Sequence, residues 1–103
     1  MTLVSDTFTA NATPSKARMV VFAELADDLN SDISASVTRD NTTFNSVSLT
    51  DEGYQAGSSG IKIFSGSTPL TGSNSPQVRL RWKIVGSSLT GNNKIHGVAL
   101  QWA

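Results

Sequence analysis

Gln77-Val78-Arg79-Leu80-Arg81-Trp82-Lys83-Ile84-Val85 alternates apolar and cationic residues without a break. In an extended chain successive side chains point to opposite faces, so Val78, Leu80, Trp82 and Ile84 share one face and Arg79, Arg81 and Lys83 the other. That is the pattern of a half-buried antiparallel strand. The same period recurs where Ile33, Ala35 and Val37 alternate with Ser34, Ser36 and Thr38, and where Val47 and Leu49 alternate with Ser46 and Ser48. Ile61 and Ile63 flank Lys62 in the same way. Two further segments, residues 17–25 and 95–102, are apolar on both faces and rich in β-branched and aromatic residues. They suit central strands covered on both sides. Residues 3–10 suit an edge strand that ends before Pro14.

Between these runs lie turn-forming clusters. Arg39-Asp40-Asn41-Thr42-Thr43 reads as a polar hairpin loop, and residues 57–60, 66–69, 72–76 and 86–93 as glycine- and serine-rich loops. Only residues 24–29 have helix-forming character, and Asn30-Ser31-Asp32 stops it within a turn or two. The fold expected is all-β, an antiparallel β-sandwich, jelly-roll-like, with about seven or eight short strands. The strands at 77–85 and 95–102 are expected at its centre. No repeat and no linker divides the chain, so residues 1–103 read as a single β-sandwich domain.

Composition sets the outer limits. Eight Lys and Arg balance eight Asp and Glu, a net charge of zero that argues against electrostatic binding to nucleic acid or an anionic membrane. Leu, Ile, Val and Phe supply 25 of 103 residues, enough apolar material to build a core. No apolar run reaches the length of a membrane span, and Met1-Thr2-Leu3-Val4-Ser5-Asp6 lacks the basic start of a signal peptide. With no cysteine, the chain has no disulfide, thiolate ligand or thiol nucleophile, which leans toward assembly in a reducing cytoplasm.

Several blocks carry a resemblance. Leu3-Val4-Ser5-Asp6-Thr7-Phe8-Thr9-Ala10 leads past a proline to Ala17-Arg18-Met19-Val20-Val21-Phe22. Leu29-Asn30-Ser31-Asp32-Ile33-Ser34-Ala35-Ser36-Val37-Thr38-Arg39-Asp40 and Val47-Ser48-Leu49-Thr50-Asp51-Glu52-Gly53 follow, and then Ile95-His96-Gly97-Val98-Ala99-Leu100-Gln101-Trp102. Over nearly its whole length the sequence resembles a β-rich domain near the C-termini of tail-fibre and tail-associated proteins of bacteriophages, notably marine ones. The resemblance implies a virion part, assembled in the host cytoplasm, with no enzymatic role. Its partners would be other appendage proteins and a cell-surface glycan, and its role structural or in host attachment. One departure is Asn41, where these domains usually carry glycine, which weakens the case for a positive backbone dihedral there. A homotrimer that buries one apolar face is a further expectation, as is the alternative of a carbohydrate-binding accessory module of a glycan-degrading enzyme.

The candidate site residues divide by chemistry. Tyr54, in the loop-like run Asp51-Glu52-Gly53-Tyr54-Gln55-Ala56-Gly57, offers a ring to stack on a sugar, with Asp51 and Gln55 to bond its hydroxyls. The plainer role for Tyr54 is to anchor its loop on the sandwich. Arg79 and Arg81, with Lys83, form a cationic row that fits phosphate or acidic sugars, or else covers the apolar rim with its stems or pairs with Asp and Glu on a neighbouring strand. Asp28, Asn30 and Asp32 imitate the start of a calcium loop. The imitation fails where Ile33 replaces the required glycine and Arg39 the required glutamate, which leaves an irregular structural calcium site or simple turn chemistry. No other cofactor is indicated. His96, the one histidine, shares a period-2 face with Val98, Leu100 and Trp102 and is expected hydrogen-bonded in or near the core. Without a Gly-x-Ser-x-Gly elbow it has no nucleophile to orient. Trp82 and Trp102, on faces with aliphatic neighbours, are expected in the core.

Overall fold

The alternating stretch becomes the strand β8 (Arg79–Gly86), with Leu80 and Ile84 buried against a second sheet. The computed structural model describes residues 1–57, 60–87 and 89–103, and among them nine strands and no helix. The other strands are β1 (Thr2–Val4), β2 (Phe8–Thr9), β3 (Lys16–Glu24), β4 (Ile33–Thr38), β5 (Phe44–Val47), β6 (Thr50–Tyr54), β7 (Lys62–Pro69) and β9 (Lys94–Trp102). One sheet has the order β1-β8-β4-β5, with β2 also pairing β8, and the other has the order β6-β7-β3-β9. Every strand pair is antiparallel. The two sheets face each other as a sandwich.

Period-2 alternation explains which residues fill the space between them. From β3 come Ala17, Met19, Val21 and Ala23; from the facing sheet come Ile33, Ala35, Val37, Val47, Leu80 and Ile84. Met19, Val37 and Leu80 are 0% exposed, and each such aliphatic side chain contributes roughly 1.5–3 kcal/mol on burial. With only two layers, β3 is central in its sheet but covered on one face alone. Its Val20 and Phe22 lie half-buried on the outer surface, so expected cover on both faces is corrected.

The strand at 95–102 is corrected more sharply. β9 pairs β3 alone and forms an edge, and none of its residues is fully buried. A bulge explains the misleading apolar run: Phe22 lies opposite Gly97 and Ala23 opposite Ile95, so His96 is the extra residue. The phase shift lets both Ile95 and Val98 pack on the core, and it takes His96 off the face of Val98, Leu100 and Trp102.

Other differences are local. Residues 66–69 are not a loop but the end of β7, where Gly66 lets the Ser48 carbonyl approach the strand. The segment read as one strand around Val47 and Leu49 divides into β5 and β6, which belong to different sheets. Asn30 pins this crossover: its amide donates to the Leu49 carbonyl and accepts from the Leu49 N–H, both at 2.9 Å. The opening segment likewise divides into β1 and β2. Residues 25–28 form no helical turn, because the Ala26 and Asp27 N–H groups donate to the side chain of Asn93 instead. The hairpin at 39–43 is present, and Asn41 does take a positive φ of 64°, a region that asparagine tolerates better than most residues. Of the expected loops at 57–60 and 86–93, Ser58, Ser59 and Ser88 lie outside the described residues.

Candidate functional site

The clearest concavity lies at the end of the sandwich where β3 stops and β7 starts. A cleft of about 510 Å³ is bounded by Glu24, residues 25–27 and Leu29 of the following connection, Asp51 and Tyr54 of β6, Lys62 and Phe64 of β7, and Asn92. Phe64 and Leu29 belong to the core or pack against it, and they give the cleft an apolar floor. Polar groups form its rim.

The rim is built by two local devices. In β6 the pairing with β7 is irregular between Asp51 and Tyr54, with Gly53 at φ 100°, where glycine is the residue that fits. The Gly53 N–H donates to Asp51 Oδ1 at 2.9 Å, and Tyr54 comes to lie opposite Lys62. Lys62 then donates to Asp51 Oδ2 at 2.8 Å while its ammonium stands 5.1 Å from the Tyr54 ring centroid. The Lys62 hydrogen bond holds the Asp51 carboxyl below its ordinary value, and that same bond raises the lysine. Both are charged at neutral pH.

On the opposite rim Asp27 organises the connection from β8 to β9. Its carboxylate accepts from the Asn93 amide at 2.7 Å, the Thr90 hydroxyl at 2.9 Å and the Thr90 and Gly91 N–H groups at 3.1 Å. The Asn93 bond first, then the two backbone bonds, lower the Asp27 pKa to about 2. Asn92 is thereby held at the cleft. Glu24 completes the rim, and its Oε2 lies 2.8 Å from His96 Nε2. Three carboxylates, an amide, one ammonium and an exposed ring thus surround an apolar floor. Such a set can accept and donate hydrogen bonds to neighbouring hydroxyls while a flat apolar face rests on the ring.

Only part of the expected site converges here. Tyr54 and Asp51 both line the cleft, and Tyr54 is 60% exposed in a strand end rather than in a loop. Gln55 is half-buried beside it and its N–H donates to the Ile61 carbonyl. Arg79 and Arg81 lie on the outer face of the other sheet, where Arg81 Nε donates to the Thr7 hydroxyl at 2.9 Å. Next to them the Lys83 ammonium stands 4.5 Å from the Phe44 ring centroid, a cation–π contact.

Asp28, Asn30 and Asp32 form a turn in which the Asp32 and Ile33 N–H groups donate to the Asp28 carbonyl. The Asn30 amide is engaged at both atoms by Leu49. Among the described residues no group of three or more Asp, Glu, His or Cys is placed to hold a metal ion. His96 is exposed at the bulge, bonded to Glu24 and not in the core, and no hydroxyl among the described residues bonds its other ring nitrogen. Trp102 also departs from expectation. It is 38% exposed on the edge strand, with its ring centroid 6.4 Å from that of Phe8, whereas Trp82 is half-buried against the core.

Glu24, Lys62 and Asn92 were not legible as site residues. Lys62 carried a signal of the opposite sense, because its flanking isoleucines suggested that it points to solvent on the outer face. Its pairing with Ala23, a core residue, places it instead on the inner face at the mouth of the sandwich. The chain matches no protein-family model, no curated protein and no solved structure.

Proposed function

We propose that this domain is a non-enzymatic binding module of a virion appendage, and that the cleft beneath Tyr54 takes a cell-surface glycan. The observation that carries the reading is the exposure of Tyr54 over a polar-rimmed, apolar-floored cleft. A tyrosine whose task was to anchor its own segment would bury its ring, and at 60% exposed this one does not. The partners of the rim are equally suited to sugar recognition: Asp51 and Asp27 are fixed by hydrogen bonds, so they meet a ligand with little loss of side-chain freedom. A virion setting, with assembly in the host cytoplasm, rests on the resemblance of the sequence blocks alone.

A glycan array probed with the purified domain tests the proposal. Wild type binds a defined subset of glycans, Tyr54→Ala loses them, and the double variant Arg79→Ala, Arg81→Ala on the far sheet retains them. Binding that survives Tyr54→Ala, or no binding to any glycan, refutes the assignment.

A further inference from the structure

Each sheet ends in strands whose outer backbone groups are unpaired, and proteins ordinarily blunt such edges by shortness, charge, proline or bulges. Three of the edges here are blunted. β1 and β2 have three and two residues, β5 has four, and β6 carries Asp51, Glu52 and an irregularity. β9 is blunted only at its start, by Lys94 and the bulge at His96; it runs for nine residues, and from Gly97 to Trp102 it contains neither a charge nor a proline.

The phase of its hydrogen bonds shows which groups are open. Lys16 and Ala103 exchange both backbone bonds, Lys16 N–H to Ala103 O at 3.3 Å and Ala103 N–H to Lys16 O at 3.1 Å. In an antiparallel ladder bonded and non-bonded pairs alternate. Val98, Leu100 and Trp102 therefore turn their N–H and C=O groups away from β3, toward the open side. The same three residues project their side chains toward the core face, opposite Val21, Met19 and Ala17.

Apolar surface gathers on this side as well. Apart from Met1 and Tyr54, the exposed large hydrophobic residues are Leu3, Val4, Phe8 and Trp102, at 37%, 45%, 40% and 38%. They lie on β1, β2 and β9; Val4, opposite Lys83, faces the outer surface, whereas Leu3 and Phe8, opposite Ile84 and Leu80, lie on the core side, and the Phe8–Trp102 contact brings two of these edges together. At about 200 Å² for a large side chain, Leu3, Phe8 and Trp102 leave on the order of 200 Å² of apolar surface open. Half-buried Val98 and Leu100 and the open strand backbone add to this surface, toward the roughly 800 Å² per partner of a standard interface.

We propose that β9 pairs antiparallel with β9 of a second copy of this chain, about a two-fold axis at Leu100. This register alone uses all three open residues. Leu100 exchanges both bonds with the partner's Leu100, Val98 with the partner's Trp102, and Trp102 with the partner's Val98. Faces agree too, since apolar core-side chains meet their own kind and Ala99 meets the partner's Gln101 on the outer surface. Two-fold pairing joins the β6-β7-β3-β9 sheets of both copies into one continuous sheet and closes the open edge.

Sedimentation velocity from micromolar to millimolar protein is the test, and wild type is expected to show a monomer–dimer equilibrium. Ala99→Lys with Gln101→Lys alters two exposed outer-surface side chains and sets like charges opposite each other. That variant stays monomeric with an unchanged circular-dichroism spectrum. Ala99→Glu with Gln101→Glu behaves likewise, and mixing the two variants restores a dimer. Wild type that stays monomeric throughout, or that forms a trimer, overturns the proposal. So does a dimer that survives the lysine pair, or a mixture of folded variants that fails to associate.

Discussion

Replacing Asp40 with asparagine keeps the shape of the side chain and removes its charge, at a point where the structure relies on that charge. Asp40 is 7% exposed. Its Oδ1 accepts from the Thr43 N–H at 2.8 Å and from the Thr42 N–H and the Thr38 hydroxyl at 3.0 Å, while Oδ2 accepts from the Asn74 N–H at 3.3 Å. One carboxylate thus closes the β4–β5 hairpin and ties it to the loop before β8. The Thr43 bond, with those of Thr42, Asn74 and Thr38, outweighs burial and lowers the Asp40 pKa from 3.8 to about 2. At 1.36 kcal/mol per pKa unit the ionised form contributes about 2 kcal/mol to folding. An amide can satisfy the donors on one side only and turns its own NH₂ toward those on the other, so the expected loss for Asp40→Asn at pH 7 is about 2–3 kcal/mol. In a domain of this size that lowers the melting temperature by roughly 10 °C.

The pH dependence gives the sharper check. A carboxyl with a depressed folded-state pKa contributes its stability in full above the unfolded-state value, and loses it as pH falls through the folded-state value. The gap between wild type and Asp40→Asn, measured by urea denaturation, is therefore constant from pH 7 down to about pH 5. It then narrows between the unfolded value of 3.8 and the folded value of about 2. A gap below about 1 kcal/mol at pH 7, or one that keeps its size down to pH 2, refutes the reasoning.

Three other substitutions separate the parts of the account. Tyr54→Ala is expected to abolish glycan binding yet change stability by less than about 1 kcal/mol, because the ring is mostly exposed and its contact with the Lys62 ammonium is weak; thermal denaturation checks this. Asn30 stands at φ 68° and makes two bonds to Leu49, so Asn30→Ala should cost about 3 kcal/mol and Asn30→Gly about 2, glycine keeping the dihedral and losing only the bonds. Equal losses in urea denaturation would count against the dihedral argument. Gly66→Ala would press a Cβ into the Ser48 carbonyl and to within 2.9 Å of Val47 Cγ1, for an expected loss of about 3 kcal/mol or more. Calorimetry showing a wild-type melting temperature would disprove that close approach.

What the sequence disclosed follows from what two-residue alternation can encode. It assigns faces within a strand, and so Ile33, Ala35, Val37, Leu80 and Ile84 emerged as buried, while Thr38, read onto the polar face of β4, is buried too because its hydroxyl serves the Asp40 turn. It does not encode which strands are neighbours, and it fails wherever the phase slips. The bulge at His96 made a half-exposed edge strand look buried on both sides. Gly66-Ser67-Thr68-Pro69 looked like a loop because small and hydroxyl-bearing residues serve equally where one strand passes close to another. Tyr54 and Asp51 were legible as a pair because they lie three residues apart. Glu24, Lys62 and Asn92 join them only through the order β6-β7-β3-β9 and the Asp27 bonds to residues 90–93, both long-range facts.

The most direct test of the functional claim is a nitrogen–proton correlation spectrum of the labelled domain, titrated with the glycans that an array selects. The account predicts shifts confined to the amides of Glu24, Asp27, Asp51, Tyr54, Lys62, Asn92 and their immediate neighbours, saturating with ligand. Shifts centred on the outer face of β8 around Arg79 and Arg81, or a spectrum unmoved by any glycan, would contradict it.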